Sequence, residues 1–102
     1  MMYVQATSSD GQPLQSLLRR TIRDGHIRSF QVKQVKGGLQ LCHKKHPGTI
    51  TFKRQGDGSL SAKVVCKNKD MEWKLLEAFV GRLVYHFRNE IESITLRLNS
   101  GR

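Results

Sequence analysis

Basic side chains are the residues of this sequence whose number and spacing point to chemistry. The chain carries 18 Lys plus Arg against 8 Asp plus Glu, a net charge of +10. The excess is uneven: residues 1–70 hold 13 basic and 4 acidic side chains, a balance of +9, whereas 71–102 hold 5 and 4, a balance of +1. Phosphates demand such groups. Lysine offers a mobile point charge and arginine a forked donor, and each displaces condensed counterions when it contacts a polyanion. The candidates for phosphate contact are Arg19, Arg20, Arg23, Lys33, Lys44, Lys45, Lys53, Arg54, Lys63 and Lys67.

A second cluster runs from Leu41 to Pro47 and places Cys42, His43 and His46 close together, with Cys66 further on. Two thiols and two imidazoles suggest zinc, but the paired CxxC spacing is absent and adjacent strand residues such as Cys42 and His43 face opposite ways. No metal ligand and no cofactor are assigned. His43 or His46 beside Lys44 and Lys45 could serve as acid or base on an RNA phosphate, which makes a small ribonuclease the third functional reading. The reading favours binding over catalysis, and no catalytic residue is assigned. Asp10, Asp24, Asp57 and Asp70 fall at turns or helix ends, their ordinary structural places. Glu72, Glu77, Glu90 and Glu92 lie in or just beyond the second helix and balance Lys74, Arg82 and Arg88. His26 and His86 belong to no constellation.

Positioning these groups is the task of two helices and a sheet. Met2–Thr7 alternates weakly and reads as a short strand. Pro13 to Asp24 reads as a helix, with Leu14, Leu17, Leu18 and Ile22 at helical spacing and Gly25 as its stop. Residues 26–67 read as an antiparallel meander of four strands separated by glycine-bearing turns. By parity Phe30, Val32, Leu39, Leu41, Ile50, Phe52, Leu60, Ala62, Val64 and Cys66 face inward. Ile27 and Val35 fall out of phase with that set and mark a bulge or strand ends.

The other parity holds Gln31, Lys33, Gln40, Cys42, Lys44, Thr49, Thr51, Lys53, Ser61, Lys63, Val65 and Lys67, with no acid among them. A surface that only solubilised the chain would mix both signs. This set also lacks an aromatic, since Phe30, Phe52, Trp73, Phe79 and Phe87 are assigned to the core; Tyr3 and Tyr85 remain as stacking candidates. Asn68 or Asp70 caps a second helix that runs to about Asn89 with Trp73, Leu76, Phe79, Val80, Leu83, Val84 and Phe87 as its apolar stripe. Gly81 inside it suggests a close packing contact. Ile94, Leu96 and Leu98 alternate with Thr95 and Arg97 as a last strand.

These elements give an α+β fold with the order (β)-α-β-β-β-β-α-β, both helices on one face of the sheet, in one domain spanning 1–102. At 102 residues with 37% hydrophobic and 25% charged, the chain supports one modest core. No stretch reaches the ~18–20 apolar residues of a membrane span, and Met1 to Asp10 lacks the order of a secretory signal. A cytoplasmic location with free thiols and no membrane partner is expected.

The layout of residues 13–88, helix then antiparallel strands then helix, resembles the double-stranded-RNA-binding fold, including the small messenger-RNA-cleaving toxins built on a version of it. Those toxins carry a histidine after Gly-Ser at a strand start, where this chain has Leu39 after Gly37-Gly38. The binding domains carry a lysine cluster at the second helix, which Lys67-Asn68-Lys69 matches in part. No residue role is carried over. The leading expectation is a nucleic-acid-binding domain, RNA favoured over DNA, gripping phosphates with little sequence preference through the sheet face and the arginines of the first helix. The rival is an interaction module for an acidic protein partner.

Overall fold

Alternation between Phe30 and Val65 folds as expected from its period of two. The computed structural model of the chain describes residues 1–35, 38–53 and 56–98. In chain order its elements are β1 (Met2–Ser8), α1 (Leu14–Arg23), β2 (Phe30–Val35), β3 (Gly38–His43), β4 (Thr49–Lys53), β5 (Leu60–Val65), α2 (Lys69–Phe87) and β6 (Ile91–Arg97). They form one six-stranded sheet in the order β2-β3-β4-β5-β1-β6, with every neighbouring pair antiparallel. The N-terminal strand is therefore internal, inserted between β5 and the edge strand β6. Both β5 and β6 run against β1, so they are parallel to each other and need α2 as a crossover between them.

All buried strand residues belong to one parity: Val4, Ala6, Phe30, Leu39, Leu41, Ile50, Phe52, Leu60, Ala62 and Val64. Both helices bury their apolar residues in the same cluster, Leu14 and Leu18 from α1 and Leu75, Leu76, Phe79, Leu83 and Phe87 from α2. The helices thus share one face and leave the other open. Phe79 is the centre of the contact, 1% exposed and edge-on to Phe30 and Phe52 at centroid distances of 6.2 and 5.7 Å. A ring so enclosed contributes about 1.5–3 kcal/mol of transfer free energy.

Two glycines fix how the loops close. Gly58 has φ +85, a Cβ there would lie 2.5 Å from the Gly11 carbonyl oxygen, and its own carbonyl accepts the first amide of α1, from Leu14, at 2.9 Å. Gly48 has φ +112, and a Cβ would meet the Val65 carbonyl oxygen at 2.6 Å and Leu75 at 2.9 Å. Neither site tolerates a side chain, because the obstacle is backbone and the conformation itself disfavours L residues. Asn68, not Asp70, caps α2: its side chain accepts the Asp70 amide at 3.0 Å.

The apolar stripe of α2 is rotated from its expected position. Trp73 and Val84 are each 48% exposed, whereas Leu75 is fully buried and Glu72 is 3% exposed. The true stripe is Glu72-Leu75-Leu76-Phe79-Leu83-Phe87, and an acid at its head hides its phase from a hydrophobicity pattern. Glu72 is kept in the core by partners, accepting the Cys66 amide at 3.0 Å and pairing with the N-terminal ammonium of Met1. Gly81 is also placed differently, exposed and with nothing within 4 Å of where a Cβ would stand, so no close contact explains it. Ile27 is buried ahead of β2, plugging the core from the loop after α1; its phase marks a strand end rather than a bulge. Both cysteines are free. Among the described residues no helix is long and apolar enough to cross a membrane.

Candidate nucleic-acid interface

The open face of the sheet is read most directly from the cross-strand register. One row crosses all six strands: Lys33 is opposite Gln40, Gln40 opposite Thr51, Thr51 opposite Lys63, Lys63 opposite Tyr3, and Tyr3 opposite Arg97. With strands about 4.8 Å apart, Lys33 and Lys63 stand ~14 Å from each other and Lys63 and Arg97 ~10 Å. The adjacent row places Lys53 opposite Ser61, Ser61 opposite Gln5, and Gln5 opposite Thr95. Lys53 lies diagonal to Lys63 at ~8 Å.

Among the described residues, these two rows contain no carboxylate; Glu92 stands exposed at the bulge near the start of β6, outside both rows. Their cations also have no acid partner, since the ion pairs among the described residues are Met1 with Glu72 and Arg23 with Asp24. Tyr3 sits within the row, 36% exposed, with its hydroxyl donating to the Met1 sulfur at 3.2 Å. A ring between two cations on a flat face can stack a base while its neighbours hold the flanking phosphates.

The structure sorts the basic candidates into separate regions. Lys33, Lys53 and Lys63 share the open face. Arg19, Arg20 and Arg23 are exposed on α1, which packs on the opposite side of the sheet, so no rigid ligand lies across both groups. Lys44 and Lys45 follow the last residue of β3 and line a cleft at the end of the β2–β3 hairpin. Lys67 is exposed in the connection from β5 to α2. Arg54 lies outside the described residues. Arg97 is the cation of the face that the sequence candidates omit, and Tyr3, named there as a stacking candidate, gains its place on the face only from the strand pairing. Their parity was visible, since Val4, Ala6, Ile94 and Leu96 alternate with them, but nothing in the sequence says that the terminal strands join the meander beside β5.

His43 is held in a single role. Its Nδ1 accepts the amides of Lys45 at 2.9 Å and His46 at 3.1 Å, and its ring meets Phe30 edge-on at 4.8 Å and His46 at 4.4 Å. Burial holds its pKa below the usual histidine value, reinforced by the charges of His46, Lys45 and Arg82. The ring is therefore neutral at pH 7 with its proton on Nε2. It is a donor there, and the lone pair a general base would use is already engaged at Nδ1. The ribonuclease reading loses the base it would assign to His43. Among the described residues no group of three or more His, Cys, Asp or Glu is arranged to hold a metal ion.

Comparison with protein-family models, with curated proteins and with solved structures finds no match for this chain.

Proposed function

We propose that the chain binds nucleic acid, RNA in preference to DNA, by laying a phosphate backbone across the open face of the sheet. The observation that carries this reading is the acid-free cross-strand array of Lys33, Lys53, Lys63 and Arg97. Its cations are spaced along directions a strand can follow, and each is free to exchange water and counterions for phosphate. Tyr3 supplies one stacking platform, enough to favour an unpaired stretch and too little to read a sequence. Four neutralised phosphates correspond to a log–log salt slope near −2.8 for a single strand or about −3.6 for a duplex.

The test is binding of single-stranded RNA, duplex RNA, duplex DNA and heparin across a salt series. Tighter binding of RNA with the single-strand slope supports the reading. Equal affinity for all four reduces it to general polyanion attraction, and an affinity independent of salt removes it.

A protein-interaction module is the second reading, favoured by one observation: Trp73 and Val84 are half-exposed on α2, and Val84 shares a shallow groove of about 270 Å³ with Ile91 and Ile94. Large exposed apolar side chains of this kind anchor interfaces. Retention of nucleic-acid affinity in a Trp73→Ala, Val84→Ser variant separates this patch from the sheet face.

A further inference from the structure

At the open end of the β2–β3 hairpin, the loop after α1, the residues following β3 and the middle of α2 enclose a cleft of about 590 Å³. Its wall carries His26, Arg28, His43, Lys44, Lys45 and Arg82, and no carboxylate lines it. The loop and the end of β3 are fastened to hold their groups together. Ile27, 2% exposed, pins the loop to the core and leaves His26 and Arg28 on either side of it. The Arg28 Nε donates to the Gly25 carbonyl at 3.2 Å, and the Lys44 amide donates to the Ser29 carbonyl at 2.9 Å, tying the loop to the end of β3. Among the described residues none of Arg28, Lys44, Lys45 and Arg82 is paired with an acid.

Folding alone gives no reason to converge four cations on a concavity with no counter-charge, because their repulsion opposes the compact state. An anion in the cleft reverses that sign. His43 adds a feature that surface lysines lack: a ring on the cleft wall that is clamped at Nδ1 by two backbone amides, which leaves its proton on Nε2 as a donor. Fixed N–H donors combined with Arg and Lys are the usual equipment for phosphate recognition. The volume lies within the ~300–1,000 Å³ of small-molecule sites and exceeds what one phosphate fills.

We propose that this cleft is a phosphate-binding site, built for the phosphate group of a phosphorylated ligand and separate from the open face of the sheet. Arg28 and Arg82 provide forked donors, Lys44 and Lys45 provide mobile charge, and His43 sets the orientation through Nε2–H. The source of the phosphate is either the terminal group of a polynucleotide or a free phosphorylated small molecule.

Inorganic pyrophosphate, titrated calorimetrically into the full chain, is the first probe. The expected result is saturable binding with a Kd below about 1 mM, weakened at least about tenfold in a Lys45→Gln, Arg82→Gln variant and unchanged within about twofold in a Lys33→Gln, Lys63→Gln variant. Absence of binding at about 10 mM, or equal weakening in both variants, overturns the proposal. Because the sheet-face variant is titrated separately, failure of the cleft and failure of the nucleic-acid reading are distinguishable. Nuclear magnetic resonance of the unmutated protein guards against a variant that does not fold: pyrophosphate should shift His43 and Arg28 saturably, and shifts centred on Lys63 and Tyr3 would overturn the site. A 5′-phosphorylated RNA and its 5′-hydroxyl twin then identify the source. Tighter binding of the phosphorylated strand, lost in the cleft variant, upholds the site with a polynucleotide end as ligand. Equal binding of the two strands, with pyrophosphate still captured, upholds it for a free small molecule.

Discussion

Replacing Lys33, Lys53 and Lys63 by glutamine tests the sheet face at the level of individual charges. Lys33 and Lys53 are exposed, Lys63 is half-buried, and none is ion-paired among the described residues. The neutral triple variant should therefore fold with an unfolding midpoint within a few degrees of the parent, as surface changes of about ±0.5 kcal/mol each imply. Its effect on binding is different in kind. With four cations engaged, a single strand gives a slope near −2.8, so affinity falls about 50-fold between about 50 and 200 mM salt. With Arg97 alone remaining, the slope is about −0.7 and the same interval costs about threefold. Fluorescence anisotropy of an end-labelled RNA of about 12 nucleotides, within the ~4–16 spanned by small single-strand sites, measures both slopes directly. A slope that stays near that of the parent would refute the assignment, because the removed charges would then not be those touching phosphate. A slope that falls together with a collapse of the unfolding midpoint would refute the face assignment instead.

Gly81→Ala should raise the urea unfolding free energy by about 0.8–1 kcal/mol, since Gly81 sits in an exposed helix interior with open space where the methyl group would go; a loss of stability would reveal a contact that the structure does not contain. Glu72→Leu should cost about 1–3 kcal/mol by leaving the Cys66 amide without its acceptor, whereas Glu72→Gln, which keeps an acceptor oxygen, should cost less, and equilibrium unfolding of both variants ranks them. His43 should titrate by magnetic resonance with a midpoint below 6.5. A folded-state pKa lowered by burial means that the unfolded chain takes up this proton first. Stability is then fully present above 6.5 and declines as pH falls from there toward the folded midpoint. His86 is lowered in the same direction, by burial and then by Arg82 and His26, and adds to the same acid loss. Unfolding midpoints that stayed level through that window would contradict both assignments.

The meander was legible because its period-two signal is local: Phe30, Leu39, Leu41, Ile50, Phe52, Leu60, Ala62 and Val64 alternate within segments bounded by glycine, and all of them are buried. What the sequence hides is long-range. The place of β1 between β5 and β6 depends on pairing across more than fifty residues, Met2 with Val64 and Tyr3 with Arg97, which no local pattern encodes. For that reason Arg97 is missing from the candidates read in the sequence, and Tyr3, a stacking candidate there, has no place on the sheet face until the pairing is known. The rotation of α2 escaped because Glu72 reads as solvent-facing until its partners, the Cys66 amide and the Met1 ammonium, are seen. The cleft joins Arg28, Lys45 and Arg82 from three elements, and only tertiary packing brings them together.

The spacing of charge on the open face separates what folding requires from what it does not. A sheet stabilised for its own sake gains about 0.2–1 kcal/mol from each opposite-charge cross-strand pair, and direct like-charge pairs are penalised. This face contains neither arrangement: in its longest row each cation is flanked by Gln40, Thr51 or Tyr3, so no two cations are directly opposite. Separations of ~10 and ~14 Å along that row exceed the screening length of ~8 Å at physiological salt, so mutual repulsion there is small. A polyanion lying on the face still meets every cation at contact distance, where that screening is weakest. The same geometry that makes these charges nearly neutral for stability makes them additive for a backbone that crosses them. Folding accounts for the Glu72 carboxylate, which has partners in the core; it does not account for Lys33, Lys53, Lys63 and Arg97, whose spacing is the one that the proposed binding of a polyanion would use.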